Sequence, residues 1–155
     1  MSVAEALAST CTAQINGTAY TFHAITQSDK GLLEQWARQR AYRAVADLKG
    51  VASPEDYADL LAGYRADCAA GRHAINGDLF VAALGSLEGH IETVRLMLLR
   101  HHPKVTSADV LALVETHNED VLEAMAAVDP RMAVAISRAK EAAAKGEPFR
   151  PGAVP

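Results

Sequence analysis

Helix-start signals recur along most of this chain, and they constrain its fold more than any other feature. The clearest is Ser53-Pro54-Glu55-Asp56: serine can cap a helix, proline suits the first helical position, and carboxylates are favourable at the positive end of the helix dipole. Further candidate caps are Ser28, Ser86, Thr106, Asn118 and Asp129. The signals predict a predominantly helical protein.

The segments between these caps and the next glycine or proline predict the helix bounds. We expect helices over residues 29–49, 54–70, 87–101, 106–117, 118–128 and 129–146, and a short apolar segment over 79–84. Apolar residues make up 50% of the chain but aromatic residues only 5%, because alanine supplies much of the total. Such a composition favours closely packed helices over sandwiches or barrels.

Two predicted helices carry apolar stripes at the helical period. The stripe of the helix over 29–49 is Leu33, Ala37, Ala41, Ala44 and Leu48. The stripe of the helix over 87–101 is Leu87, Ile91, Val94 and Leu98, widened by Leu96 and Leu99. We expect both stripes to face a core and the second helix to be the central one.

A β-hairpin is predicted near the N-terminus. Asn16-Gly17, a dipeptide that tolerates positive φ, separates the alternating runs 10–15 and 18–25. An isolated hairpin is marginal in water, so this one should pack on the helices or pair with another chain through its edges. The predicted fold class is mainly α: a compact bundle of five to seven helices with an N-terminal β-hairpin.

The chain length of 155 residues suits one domain, which we place at residues 1–146 with the hairpin at about 10–25. Residues 147–155 contain three prolines and no apolar period, so they predict a flexible tail. Neither a signal peptide nor about 18 consecutive apolar residues can be recognised. Cys11 and Cys68 have no partner spacing and are expected to be reduced thiols. A cytoplasmic location without membrane contact is expected.

Recognisable catalytic and metal-binding patterns are missing from the sequence. His90 and His101 lie on one side of a predicted helix but about 16 Å apart, so they cannot share an ion. The glycine-flanked run 85–89 lacks the lysine of a phosphate loop and is better explained as a helix junction. We expect no metal, no cofactor and no enzymatic activity.

One helix face allows two interpretations. Trp36, Arg40, Arg43 and Asp47 follow one another at three- and four-residue spacing, where an arginine can cover the indole and pair with the aspartate. The favoured interpretation is a half-buried edge of the core, and the alternative is a binding surface. As a binding surface, Trp36, Arg40 and Arg43 would contact a protein partner, with Tyr20 and Phe22 of the hairpin nearby.

Three segments resemble small tail-region proteins of tailed phages and prophages. They are residues 17–22 (GTAYTF), the junction and helix start over 26–36 (TQSDKGLLEQW) and residues 98–106 (LLRHHPKVT), so the resemblance spans about 15–125. Within that group the chain is most similar to tail assembly chaperones, small helical proteins of the host cytoplasm that bind the tape measure protein during virion assembly. The resemblance implies no substrate, no cofactor and an aggregation-prone helical client.

The functional hypothesis is therefore a non-enzymatic protein-binding factor in phage tail assembly, with the tape measure or another tail protein as partner. The alternative is a structural tail or connector subunit that forms a homo-oligomer through the hairpin edge. A third hypothesis is a nucleic-acid-binding module that uses the basic helix over 29–49. The net charge of −4 and the pI near 5.8 make nucleic-acid binding unlikely.

Overall fold

The computed structural model describes residues 10–129 together with Val134 and Ser137. These residues are mainly helical and include an N-terminal two-stranded hairpin, which confirms the predicted fold class at that level. The elements of the described residues, in chain order, are β1 Thr10–Ile15, β2 Thr18–His23, α1 Gln27–Ala46, α2 Pro54–Ala69, α3 Asp78–Leu84, α4 Leu87–Leu99 and α5 Ser107–Val128.

The chain divides into two units. The first contains the residues up to Thr26 together with those from His90 on, and the second runs from Gln27 to Gly89. The single domain over residues 1–146 stays a prediction, as does a single compact bundle. The predicted last helix and the tail over 147–155 lie outside the described residues, apart from Asp129, Val134 and Ser137.

The hairpin of the first unit forms around the predicted two-residue turn. Asn16 and Gly17 both have positive φ, 50° and 74°, and Ile15 lies opposite Thr18 in the antiparallel pair. Cys11 is opposite Phe22, and Ala13 is opposite Tyr20, so these side chains share one face of the sheet. That face packs against α5, and this contact supplies the packing that an isolated hairpin lacks.

The core of the first unit joins this hairpin face to α4 and α5. Its largest fully buried side chains include Phe22, Met97 and Met125. The backbone N–H of Thr21 donates a hydrogen bond to His102 Nε2 over 2.9 Å, so a histidine just after α4 also holds β2. The remaining buried members of this core are Ile15, Ile91, Val94, Leu98, Val110, Leu113, Val114, Val121, Ala124 and Val128.

Helix α5 begins and bends where its sequence suggests. Thr106 Oγ1 accepts a hydrogen bond from the Asp109 N–H, and Asp109 Oδ2 accepts one from the Thr106 N–H over 2.8 Å, which is a capping box. Hydrogen bonds from Thr106 lower the pKa of Asp109. Where two helices were predicted to meet, the structure has one helix with a kink at His117 (φ −138°, ψ 37°). The Thr116 hydroxyl donates to the Ala112 carbonyl, a contact that often bends helices.

The second unit contains three helices among its described residues. Ser53 caps α2 as predicted, with its Oγ accepting from the Asp56 N–H over 3.1 Å. The run 85–89 is a helix junction, as expected: Ser86 Oγ accepts from the Gly89 N–H, and a Cβ at Gly89 would lie 2.3 Å from the Ala83 carbonyl oxygen. A glycine is therefore required for this close approach.

Several predictions about helix ends and stripes are wrong. Helix α1 begins at Gln27, so Ser28 lies in its first turn instead of capping it, and it ends at Ala46 instead of Lys49. Leu33 and Ala37 are buried, but Ala44 and Leu48 are exposed, and so is Leu87 on α4 at 60%. The two stripes thus face a core over only part of their length. Within the described residues no helix has both the length and the apolarity to span a membrane.

Candidate functional site

Helix α2 is unusual because none of its sixteen residues is buried. It nevertheless carries Tyr57, Leu60, Leu61 and Tyr64, and Leu60 is 41% exposed. Most helices in proteins are stabilised by packing an apolar face, because short helices are marginal by themselves. In the described part of the chain, the apolar residues of α2 are thus only partly covered: Leu60 is exposed, and Tyr57, Leu61 and Tyr64 are half-buried.

An open groove of about 720 Å³ runs between α1 and α2. Small side chains make it accessible: Ala41 and Ala44 line it from α1, and a Cβ at Gly63 on α2 would meet no atom within 4 Å. The full set of lining residues is Ala41, Ala44, Val45, Asp56, Asp59, Leu60, Gly63, Tyr64, Asp67, His73 and Leu79. Ala41 and Ala44 of the predicted α1 stripe thus line this groove and are not buried in a core.

Tyr64 connects the two walls. Its hydroxyl donates to the Arg38 carbonyl of α1 over 3.4 Å, and its ring lies 5.7 Å from Tyr42 and 5.8 Å from His73 between ring centroids. A hydrogen bond with the Cys68 side chain raises the pKa of Tyr64, and burial acts in the same direction. The phenol is therefore neutral near pH 7 and acts as a support for α2.

The charged residues of the groove are acidic. Asp56, Asp59 and Asp67 line it, and no lysine or arginine occurs among its described lining residues. Asp67 accepts a hydrogen bond from Arg72 over 2.7 Å, but Arg72 also pairs with Asp78 over 2.6 Å, so one cation serves two carboxylates. These contacts raise the pKa of Arg72 and lower that of Asp78. The groove therefore keeps excess negative charge.

Exposed apolar side chains are concentrated in the same unit. Val51 is 83% exposed and Tyr42 48% exposed. Of the eight large exposed hydrophobic residues among the described residues, seven belong to the second unit: Leu32, Tyr42, Leu48, Val51, Leu60, Ile75 and Leu87. Of these seven residues, Leu60 lines the groove.

The predicted contact residues on α1 lie on a different face of that helix from the groove. None of Trp36, Arg40 and Arg43 lines it. Trp36 is half-buried, which agrees with the favoured interpretation of a core edge. Arg40 pairs with Glu88 rather than Asp47, and Arg43 is exposed. A binding role for these three residues stays a prediction.

The two hairpin residues proposed for the same edge belong to the first unit. Phe22 is fully buried and packs in the core, so its assignment to an exposed contact surface was wrong. Tyr20 is partly buried against that core, with its ring 5.6 Å from that of His102. Their apolar alternation identified the inward face of the hairpin, which is not a surface for a partner.

A signal for the groove was present in the sequence of α2. Asp56, Asp59, Gly63 and Asp67 follow one another at three- and four-residue spacing, so they lie along one side of the helix. The apolar residues of the same helix, Tyr57, Leu60, Leu61 and Tyr64, follow the helical period beside this acidic row, but periodicity alone does not show that they remain unburied. The start signal at Ser53 predicts the helix itself but not the exposure of this side.

The described residues give little support for metal binding or for base catalysis. No group of three or more histidine, cysteine, aspartate or glutamate side chains there could hold a metal ion. Tyr64, Cys68 and His73 are near one another, but the raised pKa of Tyr64 disfavours the phenolate that base catalysis would need. Comparison of the chain with protein-family models, with curated proteins and with solved structures gives no match.

Proposed function

We propose that this chain is a non-enzymatic protein-binding factor that receives a segment of another protein in the groove between α1 and α2. One observation carries the proposal: a sixteen-residue helix without a buried residue forms one wall of an open groove. A bound segment would cover Leu60 and Gly63 and supply the packing that α2 lacks.

We further propose that the partner is a tail protein of a phage, and that the chain acts as an assembly chaperone of the tape measure protein. The resemblance of residues 17–22, 26–36 and 98–106 to tail-region proteins supports this choice. A long helical client with apolar surface also suits a groove built from two helices. The chaperone would bind such a client before the tail tube covers it.

Co-expression with candidate tail proteins tests this function. The chain should keep a long helical tail protein in solution, and purified complexes should contain both chains by mass measurement. Gly63→Leu places a bulky side chain in the groove wall at a position where a Cβ meets no atom within 4 Å, and it should abolish the capture. Gly31→Leu is the matched control: Gly31 lies in α1, has equally open space and does not line the groove.

The two variants Gly63→Leu and Gly31→Leu together test whether the client binds in the groove. Capture by Gly31→Leu but not by Gly63→Leu supports the proposal. Equal capture by both variants would place the partner elsewhere, and a stable ring of this chain alone without any client would favour a structural subunit. Circular dichroism should show the same helix content for both variants.

The structural-subunit alternative has one observation in its favour. In the described residues β1 has no strand hydrogen-bonded to its second edge, whereas the outer edge of β2 has the Thr21 amide bonded to His102. An open strand edge can pair with another copy. Presence of this chain in purified particles would favour the alternative over a chaperone, which is released.

The nucleic-acid hypothesis gains less support. Arg38 pairs with Glu34 over 2.5 Å and Arg40 pairs with Glu88, so two of the arginines of α1 already have acidic partners. Binding through phosphate contacts should fall steeply with salt. A gel-shift titration at two salt concentrations would detect it.

A further inference from the structure

The groove selects a partner by charge as well as by shape. Its lining combines apolar and small residues with three aspartates, so an occupant must match both the apolar surface and the negative charge. Ala41, Ala44 and Gly63 leave room for a backbone to approach closely. The carboxylates of Asp56, Asp59 and Asp67 require positive charge opposite them.

The shape of the groove favours a helix over an extended strand. Its walls are two helices, and the described residues of the second unit contain no strand whose edge could pair with an added strand. Along α2 the groove reaches from Asp56 to Asp67, about 16 Å at 1.5 Å per residue, which matches three turns of a partner helix. Small residues on both walls permit the close interaxial distances of helix packing.

The charges of α2 are arranged to pair with such a helix. Asp56, Asp59 and Asp67 lie on one side of α2, with Gly63 between them at helical spacing. Asp56 accepts a hydrogen bond from the Ser53 hydroxyl, and Asp67 shares Arg72 with Asp78. Asp59 has no ion-pair partner in the described part of the chain. Its carboxylate is therefore the one most available to a ligand.

We infer that the groove binds an amphipathic helix with a small or aliphatic face bordered by lysine or arginine residues at three- and four-residue spacing. This inference rests on the proposed protein-binding function and specifies the chemical class of its partner. The apolar face would cover Ala41, Ala44 and Leu60, while a basic side chain would pair with Asp59. The acidic lining would reject a helix whose border carries glutamate.

Two synthetic helical peptides of sixteen residues test the inference with the full-length chain. Both have the same alanine and leucine face, but one is bordered by lysine and the other by glutamate. Fluorescence anisotropy with labelled peptides should give tighter binding of the lysine peptide in 0.1 M salt. The difference should shrink in 0.5 M salt, because exposed charges are screened.

A charge-reversal variant with a matched control assigns the effect to the groove. Asp59→Lys should weaken binding of the lysine peptide about fivefold and strengthen binding of the glutamate peptide, as expected for reversing one exposed charge pair. Glu55→Lys makes the same change of net charge on the same helix, but Glu55 does not line the groove. It should leave the affinities for both peptides nearly unchanged.

The possible results separate this inference from the function on which it rests. Equal effects of Asp59→Lys and Glu55→Lys, or equal affinity for both peptides, would overturn the charge selection even if Gly63→Leu abolishes client capture. A dimer of this chain that Gly63→Leu dissociates would assign the groove to a second copy and also overturn it. If neither peptide binds and Gly63→Leu leaves client capture unchanged, the protein-binding groove itself fails.

Discussion

The two units of this chain use apolar residues in different ways. In the first, the hairpin, α4 and α5 enclose a continuous core in which Phe22, Met97 and Met125 are fully buried. In the second, only Leu33, Ala37, Phe80 and Ala83 are buried hydrophobic residues among those described, and Leu60, Val51 and Tyr42 are exposed. The first unit therefore encloses its large apolar side chains in a core, whereas the second leaves several of them exposed.

The largest effect should come from the core of the first unit. Phe22→Ala should lower the free energy of unfolding by about 3–5 kcal/mol, because it removes a fully buried ring and leaves a cavity. Urea denaturation followed by circular dichroism measures the change. Tyr42→Ala in the second unit is the control, since its side chain is 48% exposed and its loss should cost far less. Equal losses would contradict the contrast between the units.

Two glycines of the second unit should respond with opposite signs to the same substitution. Gly89→Ala should lower the free energy of unfolding by about 1–3 kcal/mol, because its Cβ would lie 2.3 Å from the Ala83 carbonyl oxygen and 2.6 Å from Leu84 Cα. Gly63→Ala should raise it by about 0.5–1 kcal/mol, since alanine favours a helix and finds open space there. Thermal melts of both variants measure the shifts, and a loss at Gly63 would show that the groove wall is closed in solution.

Local features of both units could be predicted from the sequence. The turn at Asn16-Gly17, the caps at Ser53, Ser86 and Thr106 and the break near His117 were predicted, because each depends on interactions only a few residues apart. The end of α1 was placed too late, since the turn after Ala46 tightens through hydrogen bonds from Leu48 and Lys49 to carbonyls three residues back.

The candidate site was harder to predict than the local structure. Periodicity placed Ala41 and Ala44 on one face of a helix, but it cannot tell whether that face meets a core or an open groove. The same limit applies to Phe22, whose alternation fits an inward face and an outward one equally well until α5 covers it. Only the arrangement of whole elements distinguishes the two cases.

A pH effect on stability should arise from His90 in α4. Burial lowers the pKa of His90 below its ordinary value of 6.5, and its Nε2 has no hydrogen-bond partner in the described residues. The unfolded chain then binds the proton more readily than the folded one, so stability is full above about pH 6.5 and is lost as the pH falls below it. Urea midpoints at pH 7.5 and 5.5 measure the loss, which His90→Gln should reduce.

The carboxylates with altered pKa values should not contribute to the loss of stability between pH 7.5 and 5.5. Asp78 and Asp109 have pKa values lowered from 3.8, so their contributions are lost at more acidic pH. An unchanged dependence in His90→Gln between pH 7.5 and 5.5 would assign the effect to other groups.

The smallest effect on stability should come from Leu60, and there the contrast between the units is tested most directly. Leu60→Ala should change the free energy of unfolding by less than about 1 kcal/mol, because the side chain is 41% exposed at the groove. Leu98→Ala, the same substitution at a fully buried position of the first unit, should cost about 2–5 kcal/mol. Client capture should weaken in Leu60→Ala despite its near-normal stability. Substitution of a residue that served only the fold would reduce client capture and stability together. Loss of capture at near-normal stability in Leu60→Ala would therefore identify the second unit as the binding unit. Loss of both would instead show that Leu60 is a core residue.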